Sequence, residues 1–135
     1  MTLYPNENEA MQMFEITVRD DFSAAHRLKD YPGECEKVHG HNWSVEVFVR
    51  CDRLNEIGIT IDFRQVKQSL SAVLSELDHG DLNQIPPFDR ENPSSENIAR
   101  YVYRKLANAL NTSDVRVSKV TVYETPGASA SYWED

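Results

Sequence analysis

No uninterrupted apolar run in these 135 residues approaches the roughly 20 needed for a spanning helix, so we expect no membrane association. The opening stretch, Met1 to Ala10, carries neither a basic cluster nor an apolar core. It reads as a polar leader over residues 1–12, not as a secretion signal, ahead of one domain over 13–135. Cysteine is scarce. Two thiols, Cys35 and Cys51, without a secretion signal exclude a disulfide scaffold and fit a reducing, cytoplasmic setting. Positive charge is short as well: 14 lysines and arginines face 22 acids, a net charge of −8. That deficit argues against nucleic acid as a partner. It also means that an anionic substrate needs a local positive site, from a metal ion, helix N-termini or a few basic residues. No internal repeat is present.

Against this background the histidines stand out. Three of four lie in one stretch, His26 and then His39-Gly40-His41. Residues i and i+2 of a strand share a face, so His39 and His41 aim two imidazoles at one point. A His-x-His pair alone carries little weight. With His26 on a neighbouring strand the set becomes three imidazoles, which around Zn²⁺ leave a fourth tetrahedral position open, the pattern of a catalytic site.

The remaining patterning gives an order of strand, strand, helix, helix, strand, strand. Phe14, Ile16 and Val18 alternate toward Phe22 and His26. Trp43, Val45, Val47 and Val49 share parity with His39 and His41 in a strand from His39 to Cys51, and these two strands can pair as antiparallel neighbours. Asp62 is a good N-cap, with Gln65 at the capping-box position, for a helix whose stripe is Phe63, Val66, Leu70, Val73, Leu74 and Leu77. Asn92-Pro93-Ser94-Ser95-Glu96 starts a second helix, with proline in its first turn and Ile98, Tyr101, Val102, Leu106, Ala109 and Leu110 as its stripe. Val115 to Val122 is a strand with a parity break near Ser118-Lys119 that fits a bulge. Ala128 to Trp133 is the last strand. We expect an α+β domain, an antiparallel sheet with two helices on one face, whose open edges favour joining to other copies.

Three further groups have two readings each. Asp78-His79 can pair only on irregular backbone, which Gly80 permits; otherwise His79 is a helix-end imidazole favoured by the dipole. Cys35 is a thiol activated by nearby metal or a surface thiol. Glu124, ending the strand, can accept two N–H bonds from an amide-like or guanidine-like group, or is a solvated rim residue.

Together, Phe22-Ser23-Ala24-Ala25-His26, Cys35-x-x-x-His39-Gly40-His41, Asp62-Phe63, Leu77-Asp78-His79-x-x-Leu82-Asn83, Pro93-Ser94-Ser95-Glu96-Asn97 and Val122-Tyr123-Glu124-Thr125 resemble the 6-pyruvoyl-tetrahydropterin synthase family, and within it the bacterial 6-carboxy-5,6,7,8-tetrahydropterin synthases. The resemblance runs from about Phe14 to Trp133. It implies the tunnelling fold, a homo-oligomer (commonly a hexamer) with active sites between subunits, and a lyase acting on a small-molecule pterin triphosphate. It implies that His26, His39 and His41 bind Zn²⁺, that Cys35 is the base, and that Asp78 and His79 form a second acid–base unit. Glu124 would hold the pterin ring, with Ser94, Ser95 and Glu96 near its pocket. Glu36 beside Cys35 also forms Glu-x-x-His-Gly-His, which resembles a branch that uses glutamate and cleaves the side chain like an aldolase. A non-catalytic pterin-binding protein of the same fold is the reading from a different class.

Overall fold

The computed structural model describes residues 11–31 and 37–135. Cys35, Glu36 and residues 1–10 of the expected leader lie outside the described residues. The elements are β1 (Phe14–His26), β2 (His39–Cys51), α1 (Phe63–Ser75), β3 (Gly80–Asp81), α2 (Ser95–Leu110), β4 (Arg116–Thr125) and β5 (Ala128–Tyr132).

Alternation decides the central pair. In β2 the side chains of Trp43, Val45, Val47 and Val49 are fully buried while their neighbours are partly exposed. Facing them on β1 are Phe22 opposite Trp43, Val18 opposite Val47 and Ile16 opposite Val49. Burying each such side chain contributes about 1.5–3 kcal/mol, and a slip of one residue would turn the whole set outward. The register therefore holds without a break from Phe14↔Cys51 to His26↔His39. Strand β4 pairs antiparallel with β2, and its register shifts where Phe48 faces Lys119 and Val49 faces Val117. Ser118 is the extra residue, so the bulge lies where the parity break predicts it.

The sheet order is β3-β1-β2-β4-β5. It is not wholly antiparallel. Strand β3 joins β1 in parallel through Ala24↔Gly80 and Ala25↔Asp81, a contact too short to leave a periodic signal. Both helices cover one face. Val66, Leu70, Val73 and Leu74 of α1 and Ile98, Val102, Leu106 and Leu110 of α2 enter the core. The other face carries Arg19, Glu46, Arg50 and Lys119.

Three details differ from the sequence reading. Phe63 is 60% exposed, not core. With Phe14, Ile16, Leu54 and Ile61 it lines a groove of about 470 Å³. Ala109 is exposed, whereas Ala99 and Tyr103, outside the expected stripe, are buried. Pro93 precedes the cap instead of entering the first turn, because Ser94 is the N-cap, its hydroxyl accepting from the Asn97 N–H. The Asp62 cap forms as expected, its carboxylate accepting from the Arg64 N–H at 2.8 Å.

Candidate metal centre

The histidines meet at one end of the sheet. His26 is the last residue of β1 and His39 the first of β2, directly paired, while His41 faces Ala24. Parity puts all three on the helix-covered side, beside Trp43. The indole forms the floor, its ring edge-on to His26 at 4.8 Å and to His41 at 5.4 Å between centroids. Its own N–H is satisfied by the Ala24 carbonyl at 3.3 Å.

Two backbone carbonyls set the tautomers. His26 Nδ1 donates to Pro93 at 2.7 Å and His39 Nδ1 donates to Lys37 at 2.7 Å. A carbonyl can only accept, so each ring carries its hydrogen on Nδ1 and presents an Nε2 lone pair inward. Those two Nε2 atoms lie 3.1 Å apart. In that tautomer the two lone pairs face each other, and either a proton or a metal ion between them relieves the repulsion. Two nitrogens bound tetrahedrally to zinc at ~2.0–2.1 Å would lie about 3.3 Å apart, close to what is seen.

A fourth donor completes the group. Glu124 Oε1 approaches His41 Nε2 at 2.7 Å, His26 Nε2 at 3.5 Å and His39 Nε2 at 3.9 Å. Despite the short contact, His41 Nε2 is buried and makes no hydrogen bond. The carboxylate therefore lies off the direction an N–H would need. All four donor atoms fall within 4.8 Å of one another. Three imidazole nitrogens and one carboxylate oxygen around a common point suit a divalent cation such as zinc. The residues present fit a metal.

The three histidines meet as strand parity predicts, and Glu124, which the resemblance assigns to the pterin ring, meets them too. Strand parity could have found its place here, since Val120 and Val122 face Val47 and Val45 and Glu124 follows on the same side. The two carbonyl partners carried no signal of their own.

His26 is buried, and burial, ahead of the neighbouring imidazoles, holds its pKa below the ordinary histidine value of 6.5. The unfolded chain then binds the proton first. Stability from neutral His26 is fully present above about pH 6.5 and is lost as pH falls toward the lowered folded value. For metal-free protein we expect the urea midpoint to drop between about pH 7 and about pH 5, and His26→Asn to flatten that slope. An unchanged slope would mean that His26 is not held neutral.

Asp78 and His79 also pair. His79 Nδ1 lies 2.9 Å from Asp78 Oδ2, and Asp78 Oδ1 accepts from the Ser23 N–H at 2.8 Å. That N–H bond is the first reason why the Asp78 carboxyl is held below its usual range. The irregular backbone is at His79 itself (φ 60), not at Gly80. A left-handed conformation costs a non-glycine residue roughly 1–2 kcal/mol. The His79 N–H donates to the Ser23 carbonyl, which helps to hold it there. The His79 side chain is 82% exposed. Among the described residues, no hydrogen bond or ion pair links this dyad to the histidine cluster within one chain. Ser94 and Ser95 are half-buried at the start of α2 and Glu96 is exposed, on the helix end that Pro93 ties to His26.

The family model described as 6-pyruvoyl tetrahydropterin synthase matches residues 15–135. The chain belongs to the 6-pyruvoyl tetrahydropterin synthase family. Among its relatives, 6-carboxy-5,6,7,8-tetrahydropterin synthase of Synechocystis is 35% identical over 126 residues, covering 90% of this chain and 94% of that protein. Dihydroneopterin monophosphate aldolase of Pyrococcus furiosus is 35% identical over 109 residues, covering 81% and 88%. The structure of Caenorhabditis elegans 6-pyruvoyl tetrahydropterin synthase superposes with a TM-score of 0.82 at 30% identity, covering 93% of this chain and 98% of that one. The fold of this chain is the tunnelling fold, with the two-residue β3 between the helices added to the ββααββ order.

Proposed function

We propose that this chain is a zinc-dependent lyase of pterin metabolism, converting 7,8-dihydroneopterin triphosphate to 6-carboxy-5,6,7,8-tetrahydropterin, acetaldehyde and triphosphate, on the route to queuosine and related deazapurines. The observation that carries this reading is the convergence of His26, His39 and His41 on one point with two Nε2 lone pairs fixed inward. His26, His39 and His41 would hold zinc, which would supply positive charge there and make protons on the nearby carbons and hydroxyls of the substrate side chain easier to remove. Cys35, four residues before His39, takes a proton. Asp78 holds His79 Nδ1–H and leaves its Nε2 free to exchange a proton elsewhere on the substrate. Glu124 accepts the amino and ring N–H groups of the pterin, with Ser94, Ser95 and Glu96 around it. Glu124 Oε1 lies 2.7 Å from His41 Nε2, so the same carboxylate borders the metal centre.

The exposed Asp78–His79 dyad supports a site completed across a subunit contact. Among the described residues, the outer edge of β1 from Phe14 to Phe22 and the outer edge of β5 have no ladder partner. Such edges are normally covered, and we infer an assembly larger than a dimer, a hexamer in keeping with the family. Light scattering of zinc-loaded protein should give a mass well above twice that of the chain. A fully active monomer would sink the shared-site reading.

The similarity to the Pyrococcus aldolase, together with Glu36 three residues before His39, favours one second reading: side-chain cleavage to 6-hydroxymethyl-dihydropterin. Incubation with 7,8-dihydroneopterin triphosphate and identification of the products separates the two. Neither product set would leave a non-catalytic pterin-binding protein.

A further inference from the structure

Beyond the end of β1, the chain is gripped by two distant segments. Asn83 accepts from the Arg27 N–H at 2.8 Å and donates to the Arg27 carbonyl at 3.1 Å. Asn92 does the same to Lys29, at 2.8 and 3.1 Å. A side-chain amide that pairs with both backbone groups of one residue imitates a strand ladder, and two of them at alternate positions prolong the pairing past the point where β1 stops. Next to Asn92, the Pro93 carbonyl holds His26 Nδ1 at 2.7 Å. Residues 92 and 93 thus hold both the metal-ligand histidine and the segment leaving it.

What holds residues 92 and 93 is Asn97. Its Nδ2 donates to the Asn92 carbonyl at 2.8 Å, and its Oδ1 accepts from Arg100 at 2.7 Å. The Asn92 carbonyl lies in the peptide plane that ends at the Pro93 nitrogen. The Pro93 ring fixes the next torsion. Anchoring that carbonyl leaves a single backbone torsion between the anchor and the Pro93 carbonyl. The following residue, Ser94, is itself tied down as the cap of α2. The Asn97 side chain caps no N–H of its own helix, because Ser94 already does so. It acts on a carbonyl outside the helix.

Resting on the metal reading above, we propose that Asn97 is a positioning residue for His26: it fixes the Asn92–Pro93 peptide so that the Pro93 carbonyl holds His26 Nδ1–H and aims Nε2 into the centre. Partners of this kind, beyond the ligands themselves, typically change metal affinity by about 10–100-fold when removed.

The test is Asn97→Asp. It keeps the size and the acceptor for Arg100 but loses the donor. An acid in the first turn of a helix is favourable to the dipole, so α2 should not be weakened. Cobalt(II) and zinc titrations of metal-free protein are compared with Tyr101→Phe, which removes a different hydrogen bond of the same helix, that from Tyr101 to Glu76. We expect the apparent Kd of Asn97→Asp to rise about 10-fold, with a changed visible spectrum of the cobalt form, while Tyr101→Phe matches wild type and the metal-free Tm of Asn97→Asp stays near it. Wild-type affinity and spectrum in Asn97→Asp would overturn the proposal. So would a loss shared by Tyr101→Phe, or one tracking a lowered Tm. Should Asn97→Asp not fold, Asn97→Ser decides by the same comparison. A wild-type protein that binds no metal would instead remove the metal reading itself.

Discussion

Alanine in place of Cys35 is expected to lower turnover of 7,8-dihydroneopterin triphosphate on the order of 10²-fold or more, as for removal of a general base, with metal content unchanged. Cys35 and Glu36 are neighbours, and on extended backbone neighbours point to opposite sides. On such backbone only one of the two could face a metal held by the histidines. A thiol near zinc reaches a useful pKa, whereas a carboxylate there is held ionised and is the weaker base. Glu36→Ala should therefore be much milder, and wild-type products should include acetaldehyde and 6-carboxytetrahydropterin. The opposite pattern, a dead Glu36→Ala variant and 6-hydroxymethyl-dihydropterin from wild type, would establish the aldolase-like reaction. Thiol counting under denaturing, non-reducing conditions should find both Cys35 and Cys51 free.

His41→Ala should take bound zinc from about one ion per chain to nearly none after dialysis, as expected when one of three protein imidazoles is lost. The structure explains why the loss should be specific. His41 Nε2 is buried and makes no hydrogen bond, and the other contacts of the ring are with Glu124, His26, His39 and Trp43, all at the cluster itself. Strand pairing between Ala24 and residue 41 runs through backbone and survives the change. Near-UV circular dichroism should thus stay close to wild type while metal analysis changes. Unchanged zinc content would move the metal away from this cluster.

What was legible in the sequence depended on whether side chains or backbone carried the information. Strand β2 from His39 to Cys51 and its pairing with β1 followed from the parity of Trp43, Val45, Val47 and Val49, because burial acts on every second side chain. The meeting of the three histidines followed from the same parity. The carbonyls of Pro93 and Lys37, which fix two tautomers, could not be read, since every residue has a carbonyl and only the fold selects which one faces an imidazole. Strand β3 was missed because a two-residue bridge at Gly80–Asp81 has no period. Phe63 was misplaced because helical spacing fixes an angle around the axis, not how far the core reaches toward the first turn. Glu124 was assigned by resemblance to the ring of the substrate, although counting on from Val120 and Val122 would have put it beside His41.

His79 shows how selection for stability and for function can diverge in this chain. Its left-handed backbone (φ 60) suits glycine better than any residue with a side chain. A directed-evolution campaign scored on heat resistance alone would meet His79→Gly as an attractive gain, with the backbone unchanged and the strain relieved. The same step deletes the imidazole that Asp78 is built to hold. Keeping histidine at this position, against a simple and more stable alternative, is what the proposed proton-transfer role of His79 predicts.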